Sequence, residues 1–324
     1  GRFVVVDKLG AGGMGVVFAA WDPHLDRKVA IKLLQGQSVD SEEARVRLLR
    51  EAQAMARIDH PNVLRVPEAG TFGDQVYIAM EFASGGTLKQ WLAAKPRTPR
   101  EIAAVFVEAA RGLHAAHAAG LVHRDFKPEN VLMFDGDHPR VTDFGLVGVV
   151  GELPPVRPSP ASTTDAGRAA LPEAVRRMID APLTEDTPLS KDLTRTGALM
   201  GTPAYMAPEQ FQGGLVGAAA DQFALCVALY AALYGAPPFA GGTFAELSRN
   251  VIAGHVSPPA RDRHVPARLR RVLLRGLATD PQKRYPTLGE LIVELERDPR
   301  RARIIAAGVA AGALAIAGVA YVAL

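Results

Sequence analysis

The sequence predicts an α+β protein of two lobes, and three observations carry that prediction. Residues 1 to about 80 are strand-rich, the pattern turns helical from residue 84, and 324 residues suffice for two packed cores with a segment to spare. Five runs read as strands: Phe3 to Leu9, Val16 to Trp21, Val29 to Leu34, Val63 to Glu68 and Val76 to Phe82. Each places β-branched or aromatic residues between turn signals. One helix interrupts them. Ser41 is its expected N-cap, Glu42 and Glu43 sit in the first turn where the dipole favours them, and Leu48, Leu49, Ala52, Met55 and Ala56 form its apolar stripe before His60-Pro61.

The second part opens with a capping box, Thr98-Pro99-Arg100-Glu101, with proline at the first helical position. The helix behind it should run through Ile102, Phe106, Leu113 and His117 to Gly120, a suitable residue just past a C-cap. Further helices are expected over Ala218 to Tyr234, Phe244 to Ala253, Ala267 to Ala278 and Leu288 to Glu296. Between these lies Val147 to Thr196, with seven prolines and nine serines or threonines and no sustained period. It reads as a surface insertion in which only Pro172 to Asp180 suggests a short helix.

The last segment differs in kind. Ile304 to Leu324 is 21 residues without a charge, long enough at 1.5 Å per residue to cross a hydrocarbon core of about 30 Å. Arg297, Arg300, Arg301 and Arg303 precede it, so the positive-inside rule predicts that residues 1 to 300 are cytoplasmic and that the chain crosses the cell (inner) membrane once. Gly308 and Gly312 form a GxxxG pair that would let two such helices approach as a homodimer, although glycine and alanine fill the whole segment. Net charge is +3, which gives no reason to expect nucleic acid as a partner. The single cysteine, Cys226, excludes an intrachain disulfide and reads as a small core residue. His114 and His117 share a helix face, but no further metal ligands lie near them in sequence.

The chemistry-bearing residues come as an ordered set of short motifs. Gly10, Gly12 and Gly15 lie between two strand-like segments. Glycine lets backbone approach phosphates closely, and because a strand follows instead of a helix, the loop should fold over a nucleotide as a hairpin and not as a dinucleotide-binding turn. Lys32 follows in the apolar strand Val29-Ala30-Ile31-Lys32, and Glu51 on the next helix is its expected partner; Glu42 and Glu43 are explained by the helix start. His123-Arg124-Asp125-Phe126-Lys127-Pro128-Glu129-Asn130 puts a carboxylate, an ammonium and an amide on one tight loop. Asp125 can accept a hydroxyl proton, Lys127 can stabilise a transferring phosphoryl group, and Asn130 with Asp143 can ligate magnesium. Asp143-Phe144-Gly145 and Ala207-Pro208-Glu209 complete the series.

On these motifs, residues 3 to about 296 resemble a eukaryotic-like (Hanks-type) serine/threonine protein kinase of the bacterial membrane-anchored kind. The resemblance implies a bilobal fold: a small β-rich lobe over 1–82, a mainly α lobe over 83–296 carrying the 147–196 insertion in its activation loop, a basic juxtamembrane segment at 297–303 and a transmembrane helix at 304–324. It implies ATP with Mg2+, or Mn2+ in its place, and transfer of the γ-phosphate to protein Ser/Thr hydroxyls in membrane-linked signalling. Gly10, Gly12 and Gly15 would cover the phosphates, with Val17 and Ala30 above the adenine, and Leu9 would also belong to the nucleotide site. Met80 would be the gatekeeper, Glu81 and Ala83 would bracket the hinge, and Leu132 would floor the pocket. Lys32 and Glu51 would pair, and Asp125 would be the base. Thr202 in Gly201-Thr202-Pro203 would contact Asp125 and Lys127, Glu209 would pair with Arg284, and Asp221 would brace the catalytic loop. Arg124 beside the base implies activation by a loop phosphate, for which Thr196, then Thr194, are the expected sites of autophosphorylation. Phe126 replaces the family's usual leucine, a packing change, and the 143–209 segment is longer than usual. Because Lys32, Asp125, Asn130 and Asp143 are all present, a membrane-anchored pseudokinase scaffold is the lesser alternative, and the Ala-Pro-Glu motif with its substrate loop argues against a small-molecule phosphotransferase.

Overall fold

Five strands from between residues 4 and 81 build one antiparallel sheet. The structure, a computed structural model, describes residues 2–12, 15–34, 46, 49, 52–73, 75–144, 203–258 and 264–297. Strands β1 (Val4–Gly12), β2 (Gly15–Asp22), β3 (Arg27–Leu34), β4 (Glu68–Phe72) and β5 (Gln75–Glu81) lie in the order β1-β2-β3-β5-β4. β3 is therefore central, and its side chains are mostly buried, which is where a strand of Val29, Ala30, Ile31 and Leu34 belongs. The glycine hairpin pairs Gly12 with Gly15 and Gly10 with Val17. Residues 52–56 are helical, with Ala52 and Met55 buried.

The second lobe is helical. It contains α1 (Leu88–Ala94), α2 (Pro99–Ala118), the small hairpin of β6 (Val131–Phe134) and β7 (His138–Val141), then α3 (Pro208–Phe211), α4 (Ala218–Tyr234), α5 (Phe244–Ala253), α6 (Ala267–Gly276) and α7 (Leu288–Glu296). α4 is apolar on every face, so it takes the centre; 13 of its residues are buried. α2 packs on α4, α7 and β7, and α6 on α4 and α7. The Thr98 hydroxyl accepts the Glu101 N–H while the Glu101 carboxylate accepts from Thr98, and Gly120 follows the helix at φ +79°.

Two expectations need correction. Val63 to Glu68 is not a strand: the fourth strand begins at Glu68, and Val63 makes only an isolated bridge with Val141. Val63, Leu64 and Val66 are buried, and the Leu64 N–H donates to the Val141 carbonyl, so this apolar run seals the join to the β6–β7 hairpin instead of entering the sheet. The helix starting at Ala267 stops at Gly276, not Ala278. The sequence pattern also passed over α1, which Thr87 and Gln90 close with a reciprocal capping box. Several expected features lie outside the described residues: the start of the helix at Ser41, the 147–196 insertion with its Pro172 to Asp180 helix, and the apolar segment 304–324. No helix among the described residues is long and apolar enough to cross a membrane.

Candidate active site

Lys32 reaches the site from β3, between Val17 of β2 and Ile78 of β5. The residue is 6% exposed, and its ammonium donates to Asp143 Oδ1 at 2.8 Å. A buried ammonium requires such a partner, and it finds this one 111 residues away. Glu51, the partner expected from sequence, lies outside the described residues. For Asp143, burial alone would push the carboxyl up, but the charge and hydrogen bond of Lys32, with the charge of Lys127 beyond, hold it below the usual carboxylate range. A carboxyl depressed in the folded state stabilises above its unfolded pKa of about 4, and that stabilisation disappears as pH falls through the lower folded value. The stability difference between the parent and Asp143→Asn, measured by urea unfolding, is therefore expected to stay constant between about pH 7 and 5 and to shrink below about pH 4. A difference that stays flat or grows through the acid range contradicts this account.

The loop from His123 to Asn130 is wired from beneath by Asp221, which is 1% exposed at the start of α4. Asp221 accepts the backbone N–H groups of His123 and Arg124, each at 2.7 Å, and bonds His117 Nε2 of α2 at 2.7 Å. These bonds hold Arg124 at φ +67°, a left-handed conformation that costs a non-glycine residue free energy and persists only where the surroundings enforce it. Asp143 is held similarly at φ +64°. His123 Nδ1 accepts the Asp125 N–H, so its Nε2 carries the proton and donates to the Thr142 carbonyl at 2.8 Å. The loop is thus tied both to α4 and to the segment carrying Asp143.

Above this frame the polar groups converge. Lys127 Nζ donates to Asp125 Oδ2 at 2.8 Å. Asn130 Nδ2 donates to the Asp125 carbonyl at 2.8 Å and to Oδ2 at 3.3 Å. The Asn130 amide nitrogen is occupied in this way, while its Oδ1, like Asp143 Oδ2, makes no hydrogen bond among the described residues. An oxygen-donor pair of one amide and one carboxylate suits magnesium, which favours such ligands and keeps phosphate oxygens and waters in its shell.

The residues expected around adenine are placed as follows. Ala30 and Met80 face each other across β3 and β5, and both are buried in the core cluster against which Val17 and Leu132 pack. Glu81 ends β5; its carboxylate accepts the Arg65 N–H and pairs with Arg140, and Ala83 follows half-buried. A Cβ added to Gly10 would meet nothing within 4 Å, so the hairpin leaves open space there. Gly15 is different: it sits at φ +139°, and a Cβ would lie 2.0 Å from the Leu33 carbonyl oxygen. Its glycine is demanded by the strand behind it. Leu9 is exposed at the hairpin's edge.

Arg284 and Glu209 meet in a bidentate pair at 2.7 and 2.8 Å. Thr202, Thr194 and Thr196 lie outside the described residues. Two connections escaped sequence reasoning. Gln210 Nε2 donates to the Arg124 carbonyl at 3.3 Å, tying α3 to the His123–Asn130 loop, and His117 bonds Asp221. His117 was legible only as a helical histidine, because its partner is 104 residues away. Among the described residues no cluster of metal-ligating side chains forms around it or His114.

Comparison with known proteins agrees with this arrangement. A protein kinase domain family model matches residues 3–164. The serine/threonine-protein kinase PknD of Mycobacterium tuberculosis is 32% identical over 300 residues, covering 90% of this chain and 39% of the relative. PrkC of Bacillus subtilis, also a serine/threonine-protein kinase, is 30% identical over 298 residues, covering 91% and 40%. The chain spans about two fifths of the length of the curated relatives it matches. The crystal structure of the Mycobacterium tuberculosis PknI kinase domain superposes with a TM-score of 0.61 at 28% identity, covering 91% of this chain and 95% of that one. By its motifs, its two-lobed fold and the family match over half its length, the chain belongs to the protein kinase domain family.

Proposed function

We propose that the chain is an ATP-dependent serine/threonine protein kinase. The observation that carries this reading is the proximity of two hydrogen-bonded sets, Lys32 with Asp143 and Asp125 with Lys127 and Asn130, joined by the Thr142 N–H to the Asn130 carbonyl and by the charge of Lys127 acting on Asp143. Asp125 accepts the proton of the incoming Ser or Thr hydroxyl as its oxygen bonds to the γ-phosphorus and ADP departs. Lys127, already against Asp125, holds the transferring group's charge and orients the hydroxyl. Lys32 holds the phosphate chain, with Glu51 its partner in that state. Magnesium on Asn130 and Asp143, when bound, supplies charge neutralisation between the phosphates. Val17 and Ala30 lie above the adenine and Leu132 floors its pocket, with Met80 as gatekeeper; Glu81 and Ala83 bracket the hinge that bonds its edge, Gly10, Gly12 and Gly15 cover the phosphates, and Leu9 also contacts the nucleotide.

We assign 1–82 to the small lobe and 83–296 to the large one. Residues 304–324 span the cell membrane once, with the kinase domain on the cytoplasmic side and 297–303 as its basic flank. Thr202 contacts Asp125 and Lys127, and Thr196, then Thr194, carry the activating phosphate that pairs with Arg124. The test is transfer from radiolabelled ATP by the chain in phospholipid nanodiscs, with the label mapped by mass spectrometry. Label concentrated at Thr194 and Thr196 is expected. Thr196→Ala should lower activity towards an added protein substrate by roughly 5- to 150-fold, the usual range for coupling between two sites. Full activity of Thr196→Ala after phosphatase treatment would sink the activation scheme. Absence of any label, with nucleotide binding intact, would sink the kinase reading itself.

A further inference from the structure

The base of the helical lobe carries arginines that the phosphoryl-transfer site does not use. α6 reads Ala267-Arg268-Leu269-Arg270-Arg271-Val272-Leu273-Leu274-Arg275-Gly276. Leu269, Val272 and Leu273 face the core, so the arginines must face outward. Arg268, Arg271 and Arg275, at i, i+3 and i+7, share one face with Arg297 beyond α7 and line a cavity of about 480 Å³. Tyr285, Val272 and Glu294 complete the lining.

What distinguishes this cavity is how its cations are held. Arg268 donates to the carbonyls of Glu294 and Leu295 at the end of α7. Arg275 lies over the Tyr285 ring at 4.2 Å. Arg271 is exposed and makes no hydrogen bond or ion pair among the described residues. Carbonyls and a ring fix a guanidinium's position without cancelling its charge. The one lining carboxylate, Glu294, lies 3.4 Å from Arg297. The neighbouring groove between α2, α6 and α7 shares Arg268 and Arg297 and adds Arg100 and Arg111, but two carboxylates line it, Glu108 and Glu296, the second 2.5 Å from Arg111. The α6–α7 cavity thus sets four arginines against one carboxylate, and the groove beside it four against two, so the basic surface is continuous and strongest at the cavity.

The position of the cavity selects its occupant. Arg297, in its wall, precedes Ile304 by seven residues, a reach of at most about 25 Å for extended chain. Arg300, Arg301 and Arg303 lie in that interval. We propose that this face binds the phosphate groups of anionic phospholipids and seats the helical lobe on the cytoplasmic leaflet; this rests on the reading of 304–324 as a membrane span. Clusters of basic residues beside a span are drawn to anionic leaflets, and arginine is suited to phosphate by its fork of donors. Here a folded helix face adds to the juxtamembrane cluster, which fixes the orientation of the lobe as well as its distance from the bilayer.

The test uses the full chain with Val293→Cys, an exposed position on α7. A thiol-reactive dye labels it selectively, because burial pushes the Cys226 thiol up to about 12. Energy transfer to a headgroup-labelled lipid is read in phosphatidylcholine bilayers with and without phosphatidylglycerol. Each arginine near an anionic leaflet shifts binding about fivefold. Transfer should therefore rise with phosphatidylglycerol, and Arg271→Gln with Arg275→Gln should lower the docked-to-undocked ratio roughly thirtyfold. Glutamine keeps part of each side-chain stem, and an unchanged thermal midpoint verifies the fold of the variant. Transfer that is indifferent to phosphatidylglycerol, or equal in parent and double variant, overturns the proposal. Resistance to alkaline carbonate extraction from phosphatidylcholine vesicles tests the span separately. A chain that washes off still meets the same headgroups from solution on phosphatidylglycerol vesicles, so the energy transfer decides the docking either way.

Discussion

Asp125→Asn is expected to lower kcat for phosphate transfer by about 10²- to 10⁴-fold, the usual contribution of a positioned general base, with little change in KM for ATP. Asparagine is nearly isosteric, and its carbonyl oxygen can still accept from Lys127 and Asn130 as the Asp125 Oδ2 does, at 2.8 and 3.3 Å. The loop beneath is held by Asp221 and His123 through backbone atoms, which the substitution leaves intact. What disappears is the negative charge that, in the mechanism proposed above, takes up the hydroxyl proton. The unfolding midpoint in urea should therefore stay near the parent's while turnover collapses. Parent-like turnover would remove Asp125 from the mechanism. A large loss of stability would instead show that the carboxylate acts as a structural partner of Lys127.

Much of this site is legible in the sequence, for reasons that differ between its parts. Lys32, Asp125, Asn130 and Asp143 were readable because each stands in a short local motif whose chemistry constrains residue type and spacing. The capping box at Thr98 and the apolar face of α2 were readable for the same reason: a helix start is specified within four residues. Long-range wiring was not. That Lys32 would meet Asp143 across 111 residues, or that His117 would serve Asp221, depends on how α2, α4 and the sheet pack, and no local pattern encodes it. The misplaced fourth strand shows the opposite failure. Val63, Leu64 and Val66 have the composition of a strand, but that composition reports burial, and their burial is against the β6–β7 hairpin.

The largest stability effect is expected far from the phosphates, at Arg284. Its side chain is 0% exposed and donates to both Glu209 oxygens, to the carbonyls of Ala219 and Ala278, and more weakly to that of Thr279. The Phe223 ring lies 4.9 Å away. Arg284→Ala strands Glu209, a carboxylate only 13% exposed, and leaves those carbonyls without their donor. Removing one partner of a buried ion pair costs about 3–5 kcal/mol, far more than the pair's net contribution, because the remaining charge is uncompensated. A lysine supplies one ammonium where a five-donor fork is used, so Arg284→Lys should recover little. Arg284→Ala with Glu209→Ala should be less damaging than the sum of the single changes, since the stranded charge is gone. Urea unfolding of the four proteins measures the coupling directly. If Arg284→Ala lies within about 0.5 kcal/mol of the parent, the level of an ordinary surface change, this pair does not hold the lobe together. Activity should fall along with stability, because α3 also carries Gln210, whose bond to the Arg124 carbonyl ties this helix to the loop that bears Asp125.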